Sequence, residues 1–240
     1  MRIAALYDIH GNLPALEVVL QDIREAEVDR VVVGGDALLG PMPRDTLECL
    51  LNLDIPVEFI HGNTDRTIIK QMAAMDKGRE KIRWVAQQLY PEYEQLLKDW
   101  PLTIQVQTQG LGRVLFCHAT PRSDTEVFNI LTPEDILLPV FEGLNASVIV
   151  CGHTHMQFDR MIAGIRVVNA GSVGMPIGEP GSYWLLLDSN IELRHTPYDI
   201  AEAAKRIQDT KYPLADDFAV HNVLQPPSKE NMLERYAQAE

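Results

Sequence analysis

The sequence predicts an α/β fold, and two observations carry that prediction. Short β-branched apolar runs alternate with longer stretches of helical periodicity. In the second half, three pairs of apolar runs are joined by short turns at Gly110-Leu111-Gly112, Ala163-Gly164 and Ser189-Asn190. Taken in order, Ile3 to Tyr7 is a first strand. Leu13 to Glu27 is a helix capped by Asn12, with Pro14 in its first turn and Leu16, Val19, Leu20 and Ile23 at helical spacing. Arg30 to Val33 is a second strand, Thr46 to Leu53 a short helix, and Val57 to Ile60 a third strand. Thr67 to Trp100 is polar, rich in Gln, Lys and Glu, and without β-branched runs. It reads as two helices forming a small helical cap inserted at about residues 66–100, with Met72 and Met75 as packing residues.

Leu102 to Gln107 and Arg113 to Cys117 form a hairpin, Pro133 to Leu144 a helix, and Ser147 to Cys151 a continuous apolar strand. Phe158 to Ile162 pairs with Ile165 to Val168, and Trp184 to Leu187 with Ile191 to His195; Ile200 to Asp209 is a helix. One domain is expected over residues 1–212. Residues 213–240 have weak periodicity and contain Pro226-Pro227, so they read as a C-terminal appendage that a homodimer could use.

Bulk properties narrow the function. A chain of 240 residues can bury a large core. The net charge of −13 repels a polyanion, which argues against binding of DNA or RNA polymers. No apolar run reaches the roughly 20 residues needed to span a bilayer, and no signal peptide is evident before Asp8. Cys49, Cys117 and Cys151 are too few and too scattered for a disulfide framework, so a reducing cytoplasm is the expected location.

The chemistry lies at the strand ends. The apolar strands run into Asp8-Ile9-His10, Gly34-Gly35-Asp36, Gly62-Asn63-Thr64-Asp65, His118 and Gly152-His153-Thr154-His155. In α/β sheets ligands bind at the carboxyl ends of strands, so one rim receives carboxylates, imidazoles and an amide. Each motif alone has an ordinary structural reading: a turn, or a satisfied core histidine. Their joint placement does not. Asp, His and Asn without thiolate suit Mn, Fe, Zn or Co. Seven ligands, Asp8, His10, Asp36, Asn63, His118, His153 and His155, exceed what one tetrahedral ion uses and match two. A metal pair about 3.5 to 4 Å apart suits phosphoryl chemistry.

This set of motifs resembles the calcineurin-like metallophosphoesterase family, and within it the small bacterial and archaeal phosphodiesterase-like members. Asn169-Ala170-Gly171-Ser172-Val173-Gly174 is similar to that subgroup as well, and the likeness covers roughly residues 1 to 195. The resemblance implies two packed mixed β-sheets flanked by helices and a pair of divalent ions: Mn2+ or Fe first, with Zn2+, Ni2+ and Co2+ as alternatives. It implies that Asp8, His10 and His155 hold one ion and Asn63, His118 and His153 the other. Asp36 bridges them, and Asp36, Asn63 and His118 carry the catalysis. A hydroxide between the metals then attacks phosphorus in line.

One position departs from the family. Many members carry histidine after the Gly-Asn, where this chain has Thr64, which is neither a cation nor a useful acid at neutral pH. The expected substrate is therefore a small phosphorylated molecule with a good leaving group, a phosphodiester or a nucleotide phosphoanhydride. The alternatives are a monoester or phosphoprotein phosphatase, or a non-catalytic metal-binding scaffold on the same fold. Thr64, Arg44, Arg66 and Arg122 are the expected substrate-binding residues, with Asp65 orienting the loop behind the metals.

Overall fold

The computed structural model describes residues 1–74 and 78–239, and Met75 lies outside them. Its first five strands are β1 (Ile3–Leu6), β2 (Arg30–Val33), β3 (Val57–Phe59), β4 (Thr103–Thr108) and β5 (Gly112–Cys117). They are followed by β6 (Val148–Cys151), β7 (Phe158–Ile162), β8 (Ile165–Asn169), β9 (Ser182–Leu187) and β10 (Ile191–Thr196). All ten stand where the apolar runs predict them. Along β1 the side chains alternate: Ile3 and Ala5 face one apolar cluster, Ala4 and Leu6 another. A strand buried on both faces belongs in the middle of a layered α/β structure.

Two mixed five-stranded sheets result. One has the order β10-β9-β1-β2-β3 and the other β4-β5-β6-β8-β7. In the first, β1, β2 and β3 are parallel and β9 runs antiparallel to β1. In the second, β5, β6 and β8 are parallel, with β4 and β7 antiparallel at the edges. The sheets pack face to face across Ile3, Ala5, Val32, Leu185 and Leu187 on one side and Val114, Phe116, Val148, Val150 and Val168 on the other. Tyr7 crosses between them, its hydroxyl donating to the Val150 carbonyl at 3.0 Å. The parallel strands of both sheets end at the same rim.

Helices cover the outer faces: α1 (Leu13–Glu25), α2 (Pro43–Leu51), α3 (Asn63–Met72), α4 (Glu80–Gln88), α5 (Tyr93–Lys98), α6 (Glu134–Phe141), α7 (Ile200–Gln208), α8 (Ala215–Phe218) and α9 (Lys229–Ala239). Asn12 caps α1 by accepting from the Ala15 amide at 3.2 Å. Cys117 and Cys151 lie buried in the cluster under α6. Among the described residues no helix is long and apolar enough to cross a membrane.

Two segments differ from their sequence reading. The stretch after β3 forms three helices rather than two, because Pro91 interrupts the chain between α4 and α5 and α3 starts at Asn63, four residues before the expected start. Ile68, Val85, Leu89, Leu97 and Trp100 from this stretch enter the same apolar cluster as α1 and α2. The stretch after Pro213 is ordered as α8, a π-helical turn over Ala219–Leu224, and α9. Tyr212, Ala215, Phe218, Ala219 and Val223 join that cluster too.

Candidate metal centre

Five of the seven candidate ligands sit in backbone that L-residues avoid. Asp8, His10, Asp36, His153 and His155 have φ of 53°, 50°, 52°, 67° and 60°. Left-handed backbone costs a non-glycine residue roughly 1 to 2 kcal/mol, and such strain persists only where surrounding bonds impose it. Here they are visible. The Asp8 amide donates to Gly35 O at 3.1 Å, His10 N to Asp36 O at 2.9 Å and Gly152 N to His118 O at 2.8 Å. Segment 169–175 straps the loops from the other side. Ser172 Oγ donates to Asp8 O at 2.7 Å, Gly174 N to the same carbonyl at 3.1 Å, and Asn169 Nδ2 to Gly152 O at 2.7 Å. Gly62 is required sterically, since a Cβ there would overlap the Asp36 carboxylate.

The side chains converge. Asp8 Oδ1 lies 3.2 Å from His155 Nε2, 3.8 Å from His10 Nε2 and 3.9 Å from His118 Nε2. Asp36 turns Oδ1 toward His118 Nε2 at 3.6 Å and Oδ2 toward His10 Nε2 at 3.8 Å. Asn63 Oδ1 stands 3.1 Å from His118 Nε2. Asp8, His10 and His155 thus form one compact group, and Asp8, Asp36 and His118 another. His153 lies outside both triads, its ring edge-on to His118 at 5.0 Å, while its amide donates to Asp8 Oδ2 at 2.8 Å.

Proton placement says what this cluster lacks. The Nδ1 atoms of His10, His118 and His155 face the carbonyls of Leu39, Gly34 and Met175 at 3.3, 2.9 and 2.8 Å, and a carbonyl only accepts. Each Nδ1 therefore holds a proton, and each neutral ring turns a lone pair on Nε2 inward. His10 and His155 then face each other lone pair to lone pair at 3.3 Å. His118 does the same toward Asn63 Oδ1, and Asp8 Oδ1 is buried with no hydrogen-bond partner. These inward-facing Nε2 atoms, Asp8 Oδ1 and Asn63 Oδ1 are acceptors with no donor between them, an arrangement that fits divalent metal.

Without cations, protons take their place. Burial pushes His118 and His155 down, but the carboxylates of Asp36 and Asp8 outweigh it and both rings end above the ordinary value of 6.5. Burial dominates at His10, pulled down to about 4, and lowers His153. Burial raises Asp8, yet the charges of His155 and His118 hold it low. A cation must therefore displace protons from His118 and His155. Metal affinity should fall as pH drops toward and below 6.5, by up to about tenfold per unit for each proton displaced. Calorimetric titrations across that range, in buffers of different ionisation enthalpy, would count the released protons.

A family model described as the calcineurin-like phosphoesterase superfamily domain matches residues 1–190. The chain belongs to the calcineurin-like phosphoesterase superfamily. It is 28% identical over 234 residues to an uncharacterised protein of Methanocaldococcus jannaschii, covering 88% of this chain and 93% of that one. It is 27% identical over 190 residues to the phosphodiesterase YfcE of Escherichia coli, covering 78% and 87%. A hypothetical protein of Pyrococcus horikoshii has the same fold, with a TM-score of 0.79 at 22% identity over 92% of this chain and 98% of that one.

In this superfamily member the cavity over the metal centre, about 290 Å³, is lined by His10, Asp36, Asn63, Thr64, His153 and His155 from the strand ends. Its outer wall is Lys81 of α4 with Tyr212, Leu214, Asp217, Phe218 and Asn222. Those last five lie beyond the matched residues 1–190. Tyr236 of α9 reaches the same loops, its hydroxyl donating to Thr154 O at 3.3 Å. The sequence reading missed this wall, although its buried positions at 212, 215, 219 and 223 keep helical spacing across the π turn.

The expected substrate residues are distributed differently. Thr64 lines the cavity, its amide donating to Asp36 Oδ1 at 2.9 Å and its hydroxyl buried without a partner. Arg66 forks onto both oxygens of Asp124, and Arg122 is held by Glu126 at 2.7 Å; both line a separate hollow shared with His118. Arg44 lies against the Tyr90 ring, outside these cavities. Asp65 takes backbone N–H donors from Asp36 at 2.7 Å, Gly62 at 3.0 Å and Ala37 at 3.2 Å.

Proposed function

We propose that this protein is a hydrolase that uses two divalent cations, Mn2+ or Fe first, to cleave a phosphodiester or phosphoanhydride bond in a small substrate. The observation that carries this reading is the buried, unpartnered Asp8 Oδ1 among three imidazole nitrogens, beside an Asp36 carboxylate whose two oxygens face opposite ligand groups. Asp8, His10 and His155 would hold one cation, His118 and Asn63 with His153 the other, and Asp36 would touch both. When bound, such cations lower the pKa of a water toward neutrality and neutralise phosphoryl charge.

The chain's own groups do the positioning. Asn63 and Thr64 open α3, so the positive end of its dipole favours a phosphoryl oxygen there. The Thr64 hydroxyl can donate to the same group. In the reaction a water oxygen bonds to phosphorus, the bond to the leaving oxygen breaks, and that oxygen takes up a proton. Thr64 cannot supply the proton as an acid, which favours a leaving group of low basicity. The relative named a phosphodiesterase supports this choice.

The test is turnover of bis-p-nitrophenyl phosphate against p-nitrophenyl phosphate by metal-stripped protein resupplied separately with Mn, Fe, Zn, Ni and Co. Metal-dependent cleavage preferring the diester is expected. Preference for the monoester would overturn the substrate class. No turnover of either compound, with two ions bound per chain, would overturn the hydrolase.

A further inference from the structure

The carbonyls that fix the rings of His10 and His155 belong to Leu39 and Met175. Both residues also line the cavity over the metal centre. Leu214 lines it as well and is 42% exposed, and behind it stand Tyr212 and Phe218. Tyr212 and Phe218 belong to the apolar cluster under α1 and α2, and Leu39 and Met175 pack against that cluster. The core therefore holds this border in place, while part of its apolar surface faces the cavity. One small space thus joins two chemistries. Its floor is carboxylate, imidazole and amide, and its border is aliphatic and aromatic. Single exposed apolar side chains are ordinary on a protein surface, but several gathered around one polar floor are not.

We propose that this border binds the organic group that stays on phosphorus, so that the substrate is a phosphodiester whose second ester group is compact and apolar. Leu39, Met175 and Leu214 are the residues that select it. The assignment rests on the hydrolase reading above and narrows it. Of the four substituents on a diester phosphorus, two are anionic oxygens drawn to the floor and one departs. The fourth remains and has to find room in the same cavity. An apolar group there releases water from its own surface and from the border. The cavity, at about 290 Å³, lies at the small end of the roughly 300 to 1,000 Å³ usual for small-molecule sites, which limits that group to about the size of a phenyl ring.

The test compares phenyl p-nitrophenyl phosphate with methyl p-nitrophenyl phosphate on Mn2+-loaded protein. Both esters release the same p-nitrophenolate, so only the group that stays on phosphorus differs. One methylene in an apolar pocket is worth about 10- to 200-fold in selectivity, so the wild type should prefer the phenyl ester by at least about tenfold in kcat/KM. Because the group does not react, the preference should appear in KM. Leu214→Ser alters an exposed side chain, so the variant is expected to fold, and its thermal midpoint checks this. It should lose at least about threefold of the preference, less than the whole because Leu39 and Met175 remain. Equal turnover of the two esters by the wild type would overturn the selection. So would a variant that slows both esters equally, since Leu214 would then only shield the centre from water. No turnover of either ester would overturn the hydrolase reading instead. A second readout needs no turnover: phenylphosphonate should bind the Mn2+-loaded wild type at least about tenfold more tightly than methylphosphonate, and Leu214→Ser should narrow the gap. Equal affinities, or binding of neither, would overturn the apolar subsite.

Discussion

Asp36→Asn is expected to strip most of the bound metal from both sides of the centre and to lower kcat by at least about a thousandfold, while leaving the fold intact. A carboxylate offers two equivalent anionic oxygens; an amide offers one neutral oxygen and an NH2 group that only donates. In the native centre Asp36 Oδ1 faces His118 and Oδ2 faces His10. Whichever way the asparagine turns, it aims a donor at one cation position and withdraws charge from both. Removing a single electrostatic contributor at an active site costs about 10²- to 10³-fold, and this substitution removes a shared one. The shape is conserved and the Thr64 amide still finds an acceptor, so folding should be little changed. His118→Ala is the informative contrast, because on the proposed assignment its ring would hold one cation only, and its loss should empty mainly that side. Metal content per chain, measured beside turnover for both variants, decides it. Full metal and full rate in Asp36→Asn would end the bridging role.

Much of this centre is legible in the sequence, for a physical reason. Parallel strands deliver whatever follows them to one rim, so Asp8, Asp36, Asn63, His118 and His153 can be read as neighbours without any distance being known. The ten strands are legible because their apolar residues alternate or run together as buried strands must. What cannot be read is backbone conformation. Nothing in Asp8-Ile9-His10 or His153-Thr154-His155 announces left-handed φ, which is imposed by remote bonds from Gly35, Asp36 and Ser172. The role of 169–175 as a strap is hidden likewise, since its hydrogen bonds span more than 150 residues of chain to reach Asp8.

The outer wall of the cavity is illegible for a different reason. Arg66 and Arg122 lie beside metal-binding loops in sequence, yet carboxylates at 124 and 126 take up their charge. Lys81 stands farther from every motif, and folding brings it to the wall of the cavity over the candidate ligands. Proximity in sequence predicts the ligands, which hang from strand ends. It does not predict the wall, which helices from distant segments build.

Asp65→Ala should cost on the order of 3 to 5 kcal/mol of stability and much of the metal affinity, although Asp65 touches no cation position. Its carboxylate is fully buried and receives three backbone N–H groups, from Asp36, Gly62 and Ala37. It thereby caps α3 and pins the loop after β2 to the loop after β3, which sets the position of Asp36 against Asn63. Alanine would leave three buried donors without acceptors, each worth about 1 to 3 kcal/mol, less whatever water can repair. For a chain of this size the melting midpoint should fall by roughly 2 to 4 °C per kcal/mol. The loss should depend on metal. In the metal-free protein, burial and the neighbouring Asp36 charge push the Asp65 carboxyl up to about 7, against the pull of its N–H donors. With its folded value above the ordinary one, its contribution declines as pH rises toward 7, and alanine relieves some repulsion there. Cations beside Asp36 cancel that repulsion, so the native carboxylate contributes most when metal is bound. The gap in melting midpoint between wild type and Asp65→Ala should accordingly widen on adding metal at pH 7.5, as measured by calorimetry. A gap that narrows would mean that Asp65 serves α3 alone and not the metal centre.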